Sequence, residues 1–473
     1  MARVIVIGGG IAGLAATHRI ATDDPGVDVV LLESSARLGG RITTVPFAGV
    51  QLDMGPDALL ARAPGGVALC RELGLDDELV PPAPGPAYVW SRGRLRPMPA
   101  GLLAGLPAGP GELLRSRILS PRGVARAGLD LVLPAGEPPA DETIGALVRR
   151  RMGDQVLDRL IDPLLGGINA GSCDELSARA AAPYLAAAAA ADRSLVRGLR
   201  KSVPKAPPGV TPAPMFLTLR GGLGRLVCAL VEQSGAELRT GTPVDAVVPA
   251  AGGLEVVLDG GETLTADGVV LAVPAHASAC ILRDEAPAAA FELSGIRTAS
   301  VAVVALAYPR DALSTPPGSG FVVARDEDLG ITACTWASAK WPHLGGGPLS
   351  IVKCSIGRAA DGTAEVDRDD DELIAIARRE LARTLGVSAE PAQALVVRHS
   401  QALPQYEAGH LDRIAAARRA VEQVLPGVEL AGNAYGGVGL PSCISGAHAA
   451  AERLLSRLGA PDSRTADHQE LIR

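Results

Sequence analysis

The 473-residue chain carries 45 lysines and arginines against 52 aspartates and glutamates, a formal charge of −7, with 47% hydrophobic but only 3% aromatic residues. At roughly 150 residues per domain it is long enough for two or three domains. Its 21% of charged residues, of mixed sign, exclude wholesale disorder. Mild acidity without a dense basic tract excludes a dedicated nucleic-acid binder.

Residues 3–7, Arg-Val-Ile-Val-Ile, form a short β-branched run. Gly8, Gly9, Gly10, Ile11, Ala12 and Gly13 follow at once, ahead of a helix-like stretch from Leu14 to Ala21. A second apolar run, residues 27–32, ends in Glu33, so the first 33 residues predict one βαβ unit. Between Pro81 and Pro214 the chain turns rich in Pro, Gly, Leu, Arg and Ala, and apolar stretches at 102–106, 125–133 and 157–165 predict a mostly helical insertion. Five prolines between Lys201 and Pro214 predict a boundary or surface crossing. A helix is expected after Gly221-Gly222-Leu223-Gly224, then strands at 254–258 and 268–273. Further strands are expected at 301–307, 320–324, 331–335 and 349–355, with a helix over 369–384. Residues 428–432 predict a last strand, and Gly436, Gly437 and Gly439 precede a helix over 443–458 and a frayed polar tail.

Cysteines 70, 173, 228, 280, 334, 354 and 443 are scattered and never in C-x-x-C spacing. They predict buried free thiols in a reducing compartment, not a disulfide framework or a metal site. The first apolar run is too short for a secretory leader, and no run approaches the roughly 18 to 20 apolar residues of a membrane span, so a cytoplasmic location is expected. Arginine outnumbers lysine 41 to 4, which reads as coding bias.

Gly8, Gly10 and Gly13 fit G-x-G-x-x-G between strand and helix: the first permits the turn, the second lets a pyrophosphate approach the backbone, the third lets helix and strand close up. Glu33, 20 residues on from Gly13, can accept both hydroxyl hydrogens of a ribose and would repel a 2′-phosphate. Dinucleotide binding is the prediction, against a ligand-free glycine turn. The glycines of segment 430–441 offer a second set of backbone donors between strand and helix, against a purely structural loop.

The run 33–41 with Gly39, Gly40 and Arg41, followed by Asp53-Met54-Gly55-Pro56-Asp57, resembles the FAD-dependent amine oxidase and protoporphyrinogen oxidase superfamily. Segments 55–62, 166–171, 331–336, 340–343, 357–358, 403–406 and 409–411 are similar to the porphyrinogen oxidases of haem synthesis, over about residues 3 to 458. The blocks at 331–336 and 340–343 look most like the soluble Gram-positive type. The implied fold is α/β: a discontinuous Rossmann-like FAD-binding domain (1–80, 206–285 and 398–458), a mostly helical insertion (81–205), a mixed α/β substrate domain (286–397) and a flexible tail (459–473).

The resemblance implies FAD contacts at Gly8, Gly9, Gly10, Ile11, Ala12, Gly13, Glu33, Ser34, Gly40, Arg41, Gly55, Pro56, Asp57, Ala58, Val244, Gly437 and Val438. It implies tetrapyrrole contacts at Arg62, Ile168, Asn169 and Arg358. Arg62 could pair with a propionate, against a solvated surface role, and Ile168 and Asn169 could equally be packing residues. No side chain is expected as an obligatory base, since the flavin accepts the hydride. The implied activity is oxidation of coproporphyrinogen III to coproporphyrin III, with dioxygen reduced to hydrogen peroxide. Alternatives are protoporphyrinogen IX oxidation and a non-catalytic FAD-binding protein. Two departures stand out: Ala87 replaces a carboxylate-binding arginine of the plant and animal enzymes, and His399 replaces a tryptophan of the Gram-positive ones. Residues 101–133 could touch a membrane, but repeated Pro, Gly and Arg favour a channel wall.

Overall fold

The computed structural model describes residues 1–99, 102, 106, 110–134, 139–202 and 214–459. They form two compact units, the first from residues 1–40, 226–295 and 414 onward, the second from residues 41–225 and 296–413.

In the first unit the run Arg3–Ile7 lies at the centre of a five-stranded parallel sheet. Asp28–Leu32 and Gly268–Leu271 flank it, and Glu237–Arg239 and Val428–Leu430 form the edges. Val4, Ile5 and Val6 are fully buried, which is why this strand reads as a continuous apolar run rather than an alternating one. The helices Ile11–Asp23 and Leu440–Leu458 pack on each other, and both bury alanines at the contact, which lets the backbones close in. A three-stranded antiparallel sheet, Val244–Ala250, Gly253–Leu258 and Thr263–Ala266, completes this unit.

The second unit is built on a seven-stranded mixed sheet. Its strands run in the order Gln393–Pro404, Thr298–Pro309, Leu349–Ile356, Ala333–Thr335, Gly320–Val323, Tyr88–Ser91 and Arg94–Pro97. One face packs a core of Tyr308, Phe321, Trp336, Val352 and Leu373 beneath the helix Asp370–Leu385. The helical part is tied down by a buried ion pair, Arg151 Nε to Asp130 Oδ1 at 2.9 Å. Asp130 also accepts from Ser194 Oγ (2.6 Å) and from the N–H groups of Leu195 and Val196.

Several expectations need correction. Residues 41–80 group with the second unit, and so does 206–225 as far as it is described. There the strand Phe216–Leu219 pairs with both Leu59–Leu60 and Leu79–Val80, a long-range pairing that composition does not reveal. The stretch 125–133 splits into a helix Pro121–Gly128 and a 3-10 turn Leu129–Leu131. Residues 157–166 form a π-helical segment, Leu157–Gly166, interrupted by Pro163. Most of 102–106, most of the proline-rich stretch and the tail beyond 459 fall outside the described residues. All seven cysteines are free, yet Cys228 and Cys280 are exposed rather than buried.

Candidate functional site

The first unit presents the glycine turn. Gly8 takes φ +108°, and a Cβ placed on Gly13 would stand 1.8 Å from the Gly8 carbonyl oxygen. A Cβ on Gly9 would meet Leu38 at 2.4 Å. At Gly10 the nearest atom to such a Cβ is the Gly40 Cα, 3.9 Å away, so the backbone stands open there. The helix Ile11–Asp23 starts at this opening with no side-chain cap, leaving the first N–H groups, those of Ile11, Ala12 and Gly13, for an anion.

Glu33 follows the second strand. Its Oε2 accepts from Gly9 N–H at 2.7 Å and its Oε1 from Ser35 N–H at 2.8 Å, while the Ser34 hydroxyl stands 3.4 Å away. The second glycine pair folds back on the first: Gly39 N–H donates to the Gly9 carbonyl (2.8 Å), and Arg37 holds the Gly40 carbonyl (2.6 Å). Thr242 N–H donates to the Glu33 backbone carbonyl at 2.9 Å, just ahead of the strand Val244–Ala250.

The closing turn belongs to the same unit. Val428–Leu430 and Arg3–Ile7 both run parallel to Gly268–Leu271, so the turns that leave them open at one edge of the sheet. Gly437 takes φ +132°, and the helix Leu440–Leu458 starts at Gly439, again without a side-chain cap. Tyr435 pins this turn by donating to Ser278 Oγ at 3.0 Å. Burial pushes its hydroxyl up to about 12, so it stays a neutral donor.

In the second unit a Cβ on Gly55 would stand 2.2 Å from the Arg41 carbonyl oxygen and 3.4 Å from the His399 ring, whose Nε2 lies 2.8 Å from the Met54 carbonyl. Arg41 itself donates to the Ser400 carbonyl at 2.5 Å. Asp57 is held between two ammonium groups, Lys340 and Lys353, each with Nζ 3.1 Å from a carboxylate oxygen. Burial works against its charge, but the two lysines outweigh that and hold the carboxyl well below the usual range. The Asp57 side chain, expected at the cofactor, is thus engaged with protein cations. Lys353 is buried and also donates to the Asp53 carbonyl at 2.7 Å. The Asp53 carboxylate accepts from Thr44 Oγ1 and from Leu223 N–H (3.0 Å), and burial raises it to about 6. Pro56 and Ala58 lie half-buried within this turn.

The expected substrate residues separate. Arg358 lines a cleft together with Asp162, Gly166, Ala170, Val323 and Thr332. Ile168 is exposed and Arg62 lies at the surface. Asn169 is buried, its amide donating to the Leu165 carbonyl at 2.7 Å and its own carbonyl accepting from Gln405 (2.9 Å). That amide hydrogen bond runs to the end of the π-helical segment, Leu157–Gly166. Sequence reasoning did not single out Lys340, Lys353, Asp53 or Asp162. The scarcity of lysine, four in the chain, is the one signal that could have drawn attention to two of them.

Open backbone at Gly10, two uncapped helix N-termini on one sheet edge and a carboxylate after the second strand suit the pyrophosphate and ribose of an FAD. The fold and this donor set define a flavin-dependent oxidoreductase. The family model described as flavin containing amine oxidoreductase matches residues 11–455. The coproporphyrinogen III oxidase of Bacillus subtilis (strain 168) is 36% identical over 464 residues, 96% of this chain and 98% of that protein. That of Mycobacterium leprae is 37% identical, over 95% and 97%. Human protoporphyrinogen oxidase is 33% identical, over 96% and 98%. A crystal structure from Exiguobacterium sp. 255-15 superposes with a TM-score of 0.85 at 32% identity, over 96% and 99% of the chains. The chain belongs to the flavin containing amine oxidoreductase family. Its cofactor is FAD. Among the described residues no helix is long and apolar enough to cross a membrane.

Proposed function

We propose that this chain oxidises coproporphyrinogen III to coproporphyrin III in the cytoplasm, with dioxygen as the final acceptor and hydrogen peroxide as by-product. The observation that carries the reading is near-complete coverage, in both directions, by relatives that bear that activity in their names. Each two-electron step removes a hydride from a carbon bridge and a proton from the tetrapyrrole. When bound, FAD supplies the hydride acceptor.

The protein's part is positioning. The N–H groups of Ile11, Ala12 and Gly13 hold the pyrophosphate, Glu33 takes the ribose hydroxyls, and the N–H groups about Gly437 and Val438 meet an electron-rich ring edge. In the second unit Arg358 pairs with a propionate by a charge-assisted contact, with Arg62 and Ile168 as further contacts.

A second reading, protoporphyrinogen IX oxidation, is favoured by the human relative. Turnover of both porphyrinogens by the purified FAD-loaded protein separates the two. The proposal requires the larger kcat/KM for coproporphyrinogen III, and the reverse order replaces it with the second reading. A colourless protein that shows no turnover when FAD is added removes both.

A further inference from the structure

The chain is acidic overall, yet one face of the second unit gathers guanidinium groups. The hairpin of Tyr88–Ser91 and Arg94–Pro97 turns through Arg92 and Gly93, at φ +56° and +65°. Arg94 and Arg96 stand two residues apart on the returning strand and so on one face. Arg117, at φ +55°, follows the helix Pro110–Ser116, and Arg159 lies in the first turn of the π-helical segment. Burial, and then the charges of Arg92, Arg94, Arg117 and Arg159, lower the pKa of Arg96, so the five groups feel one another.

Asp326 pairs with Arg159 at 2.9 Å, and Glu327 is engaged by the backbone N–H groups of Arg92 and Gly93. Arg92, Arg94 and Arg117 are exposed and have no carboxylate partner among the described residues. Two of the five non-glycine residues at positive φ belong to this cluster. The positive φ of Arg92 and Gly93 is that of a two-residue hairpin turn, while the like charges gathered around it oppose folding.

The cluster is continuous with the cleft described above. The π-helical segment carries Arg159 at its start and Gly166, a cleft residue, at its end. Arg325 joins the two: its N–H donates to the Asp158 carbonyl at 2.9 Å, its guanidinium faces Asp162 at 3.8 Å, and Val323, two residues earlier, lines the cleft.

We propose that this arginine face captures tetracarboxylate tetrapyrroles and discriminates them from dicarboxylate ones. This rests on the tetrapyrrole reading above. A chain of charge −7 repels an anion bearing four carboxylates. A local group of guanidiniums reverses that field within a Debye length of about 8–10 Å, and the attraction scales with the charge of the ligand.

The test is equilibrium binding of coproporphyrin III (four carboxylates) and protoporphyrin IX (two) to the FAD-loaded protein, by porphyrin fluorescence. Wild type is compared with Arg92→Gln/Arg94→Gln/Arg117→Gln and with the matching triple lysine variant. At low salt the glutamine variant loses about tenfold in coproporphyrin affinity and less than about threefold in protoporphyrin affinity. The lysine variant keeps wild-type affinity, and high salt abolishes the difference. Unchanged coproporphyrin affinity in the glutamine variant overturns the proposal. So does an equal loss for both porphyrins, or a loss that lysine fails to restore. The assay needs no turnover: a wild type that passes it yet leaves coproporphyrinogen III unoxidised breaks the substrate reading and not the arginine face.

Discussion

The glycine turn of the first unit and the Asp53–Asp57 segment of the second both hold backbone at close quarters, but by different physics. In the turn, Gly8 is fixed by steric contact with Ala272 and Val273, Gly9 by Leu38 and Glu33, and Gly13 by Gly8, without any ion pair among the described residues, and the one carboxylate nearby, Glu33, accepts only backbone N–H groups and a neighbouring hydroxyl. In the segment, the backbone is fixed by charges that arrive from 283 and 296 residues away, Lys340 and Lys353 on Asp57. A seat for a cofactor's phosphates can be built from local geometry alone, because helix N-termini supply the positive potential. A buried charge cluster needs partners from distant strands.

The sharpest break of that comparison is Gly13→Val. The added side chain collides with the Gly8 carbonyl and leaves the charge cluster untouched. FAD affinity should fall at least about a hundredfold, about 2.8 kcal/mol, read as flavin lost on gel filtration while circular dichroism stays native. Asp57→Asn strikes the other region: it removes the carboxylate that both ammonium groups face and should cost about 3–5 kcal/mol in urea unfolding. Asp57→Asn/Lys353→Met should recover much of this, because one unpaired buried charge is then removed.

The pH dependence of stability sharpens the contrast within the segment. Asp53 is raised to about 6 in the folded protein, so the native state binds more protons than the unfolded one between about pH 4 and 6, and its contribution falls as pH rises through that window, by about 2–3 kcal/mol. Asp53→Asn should flatten that slope. Asp57 works in the opposite sense: its depressed carboxyl contributes stability above about pH 4, which is lost as pH falls towards its folded pKa. Urea midpoints of Asp53→Asn should therefore depart from wild type in slope between about pH 4 and 6, and those of Asp57→Asn only as pH falls below about 4. The smallest effect belongs to exposed Arg62: Arg62→Ala should raise the KM for coproporphyrinogen several-fold with FAD retained, and an unchanged KM removes it from the substrate contacts.

How much of this was legible in the sequence follows the same division. The strand Arg3–Ile7, its turn and Glu33 could be read directly, because parallel-sheet burial and glycine spacing are local patterns. The last strand, expected over 428–432, spans Val428–Leu430, and the helix expected from Cys443 begins at Leu440, a shift of the usual size at helix ends. The substrate side was harder. Sequence left Asn169 open between a substrate contact and a packing role, because its bond to the Leu165 carbonyl exists only in the folded segment. The strand Phe216–Leu219 reads as part of the nucleotide region until its pairing with residues 59–60 and 79–80 is seen. Arginine looked like coding bias by number, and only the hairpin register shows Arg92, Arg94 and Arg96 gathered on one hairpin, with Arg117 and Arg159 close enough to lower the pKa of Arg96.

The most direct test of the account is anaerobic mixing of the FAD-loaded protein with coproporphyrinogen III. The account predicts that the long-wavelength flavin absorbance bleaches as coproporphyrin III forms, and that it returns on admission of dioxygen. A flavin spectrum left unchanged by coproporphyrinogen III in protein that retains its FAD would contradict it.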